Sequence, residues 1–269
     1  TNNTPVKIIS QVGLGSQGNV NKIQDGEAEL AFCQSDVASY AYNGTNLFEK
    51  HGRVSNFSIV ASLYDEQVQI ITTNPNIKSV SDLRGKRVSI GSQGSGVYFN
   101  ALDILEEYAM TESDIKPTYQ SFGDSANDLR DEKIDAAFIV AGAPTTAVVD
   151  LNASKKVRLL SIEENHINSL IKKHPFYKKN VISRNVYNTE RDVVTLSVSA
   201  LLLARDDVSE DAIYAFVKDM FDNPQNLTNL HAKYAELDIE NASSIVGIPY
   251  HKGSARYFKE KGVAVEVKN

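Results

Sequence analysis

The chain has 269 residues, a formal net charge of −6, and 42% hydrophobic and 23% charged residues. This composition is typical of a globular protein of one or two domains. The acidic balance without a basic run argues against a nucleic acid as partner, because phosphate binding requires clustered Lys and Arg. The most apolar stretch, 193–204, is too short for a membrane span, so we expect a chain that is not itself membrane-spanning.

Few residues of the chain point to metal or redox chemistry. The single Cys33 lies in an apolar strand pattern, can form no disulfide within the chain, and is expected to be a small core residue. The five histidines, at positions 51, 166, 174, 231 and 251, do not have the spacing of metal ligands. We therefore expect no metal and no cofactor.

The chain opens with a strand pattern over 6–12, which runs into Gly13-Leu14-Gly15-Ser16-Gln17-Gly18. These six residues match the dinucleotide fingerprint G-x-G-x-x-G, and Asp36 follows at about the expected distance. A Rossmann helix should continue for some three turns, whereas the helical pattern here is broken at Asp25-Gly26. A nucleotide- or dinucleotide-dependent enzyme that uses the Gly13–Gly18 loop is therefore kept as the alternative function.

Two segments of the chain resemble each other. Residues 19–32 (NVNKIQDGEAELAF) align without gaps with residues 125–138 (SANDLRDEKIDAAF). Each predicts a short helix, a turn and a buried strand, and each follows a strand pattern, over 6–12 and 118–122. Since strand, helix, strand units build parallel sheets, we expect two similar α/β lobes, with two ordinary βα turns as the alternative.

The strands of this repeat end in residues suited to a ligand. Ligands of open α/β sheets bind just outside the carboxyl ends of strands. Pro144 also begins a helix predicted over 145–152, whose N-terminus would face the strand ends. The candidate ligand-binding residues are Gly15, Ser16, Gln34 and Ser35 in the first lobe and Gly142, Ala143 and Pro144 in the second.

Between the repeats, strand patterns over 58–64 and 67–73 come in near succession, and Asn74-Pro75-Asn76 then breaks the chain. This predicts a passage between lobes. Tyr64 ends the first of these strands, where its phenol could hydrogen-bond a solute or simply fill the seam. A short helix over 79–84, capped by Ser79 or Ser81, comes next.

The strongest site candidate is the loop Gly91-Ser92-Gln93-Gly94-Ser95-Gly96, between a strand pattern over 87–90 and a helical pattern to Tyr108. The glycines allow close backbone approach, and the serines add hydroxyls beside the free N–H groups of a first helical turn, which favours an anion. Without the Lys-Ser/Thr of a P-loop, a carboxylate or small anionic group fits better than a triphosphate. The candidates are Ser92, Gly94, Ser95, Gly96, Val97 and Tyr98; the alternative is a turn that only caps the helix.

The rest of the chain predicts a strand over 157–162, a helix over 165–173, an aperiodic excursion over 176–192 and a long strand over 193–204 that would return between lobes. Helices are predicted from Ser209 to about 221 and around 255–261.

Five blocks in order resemble the solute-binding receptors of TRAP transporters, in the TAXI subfamily. They are 26–36 (GEAELAFCQSD), 82–96 (DLRGKRVSIG with GSG after it), 134–144 (IDAAFIVAGAP), 174–177 (HPFY) and 249–262 (PYHKGSARYFKEKG). The resemblance covers nearly the whole chain. The family pattern also opens with a further strand, a Gly-rich loop with a Tyr pair and a helix, which would precede Thr1, so we expect either a truncated sequence or an unusual member.

This resemblance implies a two-lobed α/β fold of the type II periplasmic-binding-protein kind, each lobe a mixed, mainly parallel sheet flanked by helices. Lobe I would comprise 1–72 with 196–269, and lobe II 73–195. It further implies no catalysis and a periplasmic or other extracytoplasmic location, reached by an export signal that this sequence does not contain. The partners implied are a small anionic solute held between the lobes, either an amino acid such as glutamate or an organic acid, and the membrane components of a TRAP transporter. We expect a monomer.

Overall fold

The structure, a computed structural model, describes residues 7–13, 15–50, 52–225 and 232–268. Val6 of the first strand pattern, Leu14 of the fingerprint loop, His51 and His231 lie outside the described residues. The chain forms two compact units, Thr1–Tyr64 with Ser199–Asn269 and Asp65–Val198. We call these unit 1 and unit 2.

Helices and strands are interspersed along the described part of the chain. The helices are α1 (Ser16–Gln24), α2 (Ser35–Asn43), α3 (Gly96–Glu107), α4 (Phe122–Arg130), α5 (Thr146–Asn152), α6 (Glu164–Lys173), α7 (Arg184–Tyr187), α8 (Glu210–Asp222), α9 (Ile239–Ala242) and α10 (Lys252–Glu260). The strands are β1 (Leu30–Gln34), β2 (Phe57–Thr72), β3 (Arg87–Ser89), β4 (Lys116–Thr118), β5 (Ala136–Ala141), β6 (Arg158–Leu160), β7 (Lys178–Ile182) and β8 (Val193–Arg205). The predicted α/β class, with sheets flanked by helices, is confirmed.

Unit 2 is built on a mixed sheet. Strand β3 pairs in parallel with both β4 and β5, whereas β5 and β6 pair antiparallel with β2. Both faces of the sheet are buried: Phe138 and Val140 of β5 pack in the cluster that includes α3, and Ala137 and Ile139 pack in the cluster that includes α5. This is why β5 is a continuous apolar run, as is typical of a strand covered on both faces.

In unit 1, β1 pairs antiparallel with β8 along its whole length, so the mainly parallel pairing expected for each lobe is not found at this strand. Helix α8 begins as predicted, since the Ser209 hydroxyl accepts from the Ala212 N–H at 3.2 Å. Helix α10 packs very closely on α8 at Gly253. A Cβ at this position would lie 2.3 Å from the Glu210 carbonyl oxygen, so only glycine fits there. Cys33 is buried, which confirms its predicted place in the core.

The strand predicted over 6–12 is wrong for the residues that the structure describes. Residues 7–12 form no strand, and the side chains of Ile9 and Val12 are 77% and 92% exposed. An apolar pattern forms a strand only where a ladder partner and a covered face are available, and no described strand pairs with this segment.

Two further predictions of elements are corrected. The patterns over 58–64 and 67–73, predicted as two strands, belong to one continuous strand, β2, because the polar pair Asp65-Glu66 between them continues the extended backbone. The segment 176–192 contains β7 and α7. The sequence of β7, KKNVI, has little apolar alternation, so the strand owes its formation to its antiparallel pairing with β8.

Within the described residues, no helix has the length and apolar character needed to cross a bilayer. The same residues contain no group of three or more His, Cys, Asp or Glu side chains arranged to hold a metal ion.

Candidate functional site

The loop before α3 is built around Gly91. This residue has φ 82°, in the left-handed region that favours glycine. A Cβ at this position would lie 2.6 Å from Cβ of Val97 and 2.8 Å from Oγ of Ser95. The absence of a side chain at Gly91 therefore lets the loop fold directly against the first turn of α3.

The first turn of α3 keeps its hydrogen-bond donors available. Ser95 is the N-cap residue but its side chain makes no capping bond, and its own N–H donates to the Ser92 carbonyl at 3.0 Å. The N–H groups of Gly96, Val97 and Tyr98 have no intrahelical acceptor, because they belong to the first turn. The Ser95 hydroxyl oxygen is buried and has no hydrogen-bond partner among the described residues. These donors, at the positive end of the helix dipole, suit a small anionic group.

Tyr98 contributes less to this site than its position in the sequence indicates. Its hydroxyl donates to Oε2 of Glu112 at 2.8 Å, and its ring lies 6.1 Å from that of Tyr119. Burial, together with the Glu112 carboxylate, raises the pKa of Tyr98 to about 12. The phenol is thus used inside unit 2, and the group of Tyr98 that suits a solute is its backbone N–H.

At the second predicted loop of unit 2, Gly142–Pro144, and the next residue, Thr145, two backbone donors are occupied. The Ala143 N–H donates to Oε1 of Gln67 at 3.0 Å, and the Thr145 N–H donates to the Tyr187 hydroxyl at 2.6 Å. Pro144 has no N–H. An anion could accept from these two N–H groups only by displacing partners that are already present, so the two loops of unit 2 differ in what they offer a solute.

In unit 1, four predicted residues lie together. The Gln34 N–H donates to Oγ of Ser16 at 3.1 Å, which brings the end of β1 to the start of α1, and Gly15 precedes that helix with φ 88°. Gln34 and Ser35 are each 5% exposed, and Oγ of Ser35 accepts from the Ser199 N–H at 3.1 Å. Oε1 of Gln34 is buried and has no hydrogen-bond partner among the residues that are described.

Tyr64 is half-buried at the end of unit 1. Its ring makes an edge-to-face contact with Tyr234, with ring centroids 5.8 Å apart. The contact shows that part of the ring packs, and both interpretations of this residue, as a solute contact and as a space-filling aromatic, stay predictions.

The arrangement expected of a dinucleotide site is not formed by the described part of the Gly13–Gly18 segment. No strand precedes the loop in residues 7–13. Gly13 packs against Asn19, since a Cβ there would lie 2.3 Å from Oδ1 of that side chain. Asp36, which would have to reach a ribose, is fully buried in the first turn of α2.

Two cavities lie elsewhere in the two units. One in unit 1, of about 270 Å³, is lined by residues that include Ser58, Asp206, His251 and Lys268, and one in unit 2, of about 330 Å³, includes Lys78 and Arg191. No predicted site residue lines either one. In the first cavity, Asp206 accepts from the Ser58 hydroxyl at 2.6 Å and forms an ion pair with Lys268.

The sequence interpretation missed four polar residues beneath the Gly142–Pro144 loop: Gln67, Gln69, Thr145 and Tyr187. The signal was present in part. Gln67 and Gln69 stand at alternate positions of the otherwise apolar second half of β2, so both point to one face of the sheet.

Comparison with known proteins adds a family and several distant likenesses. A family model described as the NMT1-like family matches residues 1–262. The chain is similar to the periplasmic aliphatic sulphonate binding protein SsuA from Escherichia coli, with 16% identity, a TM-score of 0.46, and coverage of 83% of this chain and 63% of that one. It thus spans less than two thirds of the length of that protein.

Two other solved structures show likenesses of the same order. The alkanesulfonate-binding protein SsuA from Xanthomonas axonopodis pv. citri bound to MOPS has 12% identity and a TM-score of 0.49, over 92% of this chain and 78% of that chain. A putative L-cystine ABC transporter from Listeria monocytogenes has 15% identity and a TM-score of 0.49, over 82% of this chain and 75% of that chain.

Proposed function

The chain belongs to the NMT1-like family, and we propose that it is an extracytoplasmic solute-binding protein of the TRAP type, in the TAXI subfamily. It captures a small anionic solute, an amino acid such as glutamate or an organic acid, and delivers it to the membrane components of the transporter. This role involves no catalysis. The resemblance of the five sequence blocks to TRAP receptors supports the transporter class and implies that the protein closes on its solute.

The observation that carries the proposal is the uncapped first turn of α3. Its N–H groups and the buried Ser95 hydroxyl, which has no partner among the described residues, form a neutral set of donors for one anionic group. Each charge-assisted hydrogen bond contributes about 1.5–3 kcal/mol. Two or three such bonds would contribute to holding a carboxylate without a basic side chain.

The remaining predicted residues stay part of the proposal. In unit 1 the cluster around Gln34 would contact the polar groups of the solute, and Tyr64 would pack against it. The residues proposed to bind the solute are Gly15, Ser16, Gln34, Ser35, Tyr64, Ser92, Gly94, Ser95, Gly96, Val97, Tyr98, Gly142, Ala143 and Pro144.

Mass spectrometry of solute carried through purification tests the proposal. The protein is purified gently, without added ligand, then denatured, and the released small molecules are analysed; a small carboxylic acid or amino acid is the expected result. Calorimetric titration of protein that has been unfolded, freed of solute and refolded should then show binding of the same compound. Release of a dinucleotide or nucleotide would contradict the proposal and favour an enzyme.

A further inference from the structure

The Gly142–Thr145 loop rests on a buried polar network within unit 2. The Tyr187 hydroxyl accepts from the Thr145 N–H at 2.6 Å and donates to Oε1 of Gln69 at 2.5 Å. Nε2 of Gln69 donates to Oγ1 of Thr145 at 2.9 Å and to the Ala141 carbonyl at 3.1 Å. Gln67 completes the network through the Ala143 N–H. Ala141, Ala143 and Thr145 are each bonded to a glutamine or tyrosine of this network, and the Gly142 carbonyl accepts from Oγ1 of Thr145 at 3.1 Å.

The polar side chains of this network are buried, and burying them without their hydrogen bonds would cost free energy. Gln69 is 1% exposed and Tyr187 is 4% exposed, on the face of the sheet whose other side chains, such as Ile71 and Ile139, are apolar. Burying a polar group is unfavourable unless it is hydrogen-bonded, and apolar residues in place of Gln67 and Tyr187 would leave the N–H groups of Ala143 and Thr145 without these partners. The need to fill space therefore does not explain why Gln67 and Gln69 are buried here. Their hydrogen bonds to the loop, which fix its conformation, do explain it.

We infer that Gln67, Gln69 and Tyr187 are positioning residues, which hold the Gly142–Thr145 loop in its solute-receiving conformation. The inference rests on the proposed function, because the loop is one of the proposed solute contacts. Since the N–H groups of Ala143 and Thr145 and the Gly142 carbonyl are engaged within unit 2, this loop offers a solute the carbonyl oxygens and the apolar surface of Ala143 and Pro144. It therefore faces the uncharged or donor-bearing part of the solute, and the anionic group binds at the first turn of α3.

Tyr187→Phe is the main test, because it removes one oxygen atom that bonds at both ends and leaves the ring in place. Tyr257→Phe is the matched control: Tyr257 is also buried, its hydroxyl donates to Asp222 at 3.0 Å, and it lies in unit 1 and is not itself a predicted solute contact. Amide hydrogen exchange is measured first, without solute. The Thr145 amide should exchange at least tenfold faster in Tyr187→Phe than in the wild type, while the β5 amides stay protected and the control is unchanged.

Affinity is measured next, with L-glutamate or the acid identified by mass spectrometry as the probe. Tyr187→Phe should weaken binding about tenfold or more, with a loss of thermal stability similar to that of Tyr257→Phe, which keeps wild-type affinity. If Tyr187→Phe does not fold, Gln67→Met replaces it, since only the bond to the Ala143 N–H is lost, and the Ala143 amide becomes the one monitored.

The outcomes separate this inference from the proposed function. An unchanged exchange rate of the Thr145 amide in Tyr187→Phe, or of the Ala143 amide in Gln67→Met where that variant replaces it, would overturn the positioning role. This holds whether or not any solute binds. Faster exchange with an affinity within twofold of the wild type would overturn the contact between this loop and the solute. A wild type that binds no acid would overturn the proposed function, and the exchange measurement would still decide whether the network fixes the loop.

Discussion

Replacing Ser95 by alanine should weaken solute binding and leave the folded protein as stable as before. The Ser95 hydroxyl oxygen is buried, caps no helix N–H and has no partner among the described residues. Its removal therefore costs no native hydrogen bond, and it relieves part of the desolvation penalty of about 1–3 kcal/mol that an unsatisfied buried group carries. We expect the free energy of unfolding of Ser95→Ala to stay within about 0.5 kcal/mol of the wild type or to rise.

The effect on binding should be much larger. A hydrogen bond from a hydroxyl to an anionic solute contributes about 1.5–3 kcal/mol, so Kd should increase roughly 10- to 150-fold. Calorimetric titration gives Kd, and urea unfolding of the same samples gives the free energy of unfolding. Ser62→Ala is the matched control, because the Ser62 hydroxyl is also buried without a partner among the described residues but is no proposed solute contact. A Kd for Ser95→Ala within twofold of the wild type would refute the assignment of this loop.

Three further outcomes are expected. Tyr64→Phe should raise Kd several-fold if the phenol bonds the solute, and an unchanged Kd in the same calorimetric assay would leave Tyr64 as a packing residue only. The affinity for the solute should fall only slightly between low and high ionic strength, since oriented N–H groups in a closed, water-excluded site are weakly screened, and a steep fall would mean that a Lys or Arg holds the anion. Acid should destabilise the protein through His251, because burial lowers the pKa of this residue. Its Nδ1 accepts from the Gly253 N–H at 3.2 Å, and its Nε2 carries the proton that is donated to the Val208 carbonyl at 3.0 Å. Because the unfolded state binds the extra proton near pH 6.5, the stability that the neutral ring contributes should be fully present above about pH 6.5 and should be lost as the pH falls through the lower folded-state value. Urea unfolding between pH 5 and 7.5 checks this, and His251→Asn should remove that part of the slope.

The elements predicted best were those whose signals are local. Ser209 begins α8 and Ser79 begins a short 3₁₀ helix, Val80–Leu83, because side-chain caps act within one turn. The repeat 125–138 becomes α4 and β5 as predicted, since its helical and strand periods are both clear.

The elements predicted poorly depend on residues far away in the sequence. Strand β7 is specified by its ladder with β8 rather than by its own alternation, and the segment 7–12 has a strand pattern but no described partner. In the site, the rule that ligands bind at strand ends selected both loops of unit 2 from the sequence alone. Whether the donors of each loop are free could not be predicted in this way, because it depends on tertiary contacts.

The contrast between the two loops shows why. The Ala143 N–H finds its acceptor on Gln67, 76 positions earlier in the chain, and the Thr145 N–H finds one on Tyr187, 42 positions later. The Ser95 N–H instead donates to the Ser92 carbonyl within the same loop. The Ser95 hydroxyl has no partner among the described residues. A helix start in the sequence predicts where donors lie, whereas the buried side chains packed behind it decide which donors remain for a ligand. From that distinction we infer that the anionic group of the proposed solute binds at the first turn of α3.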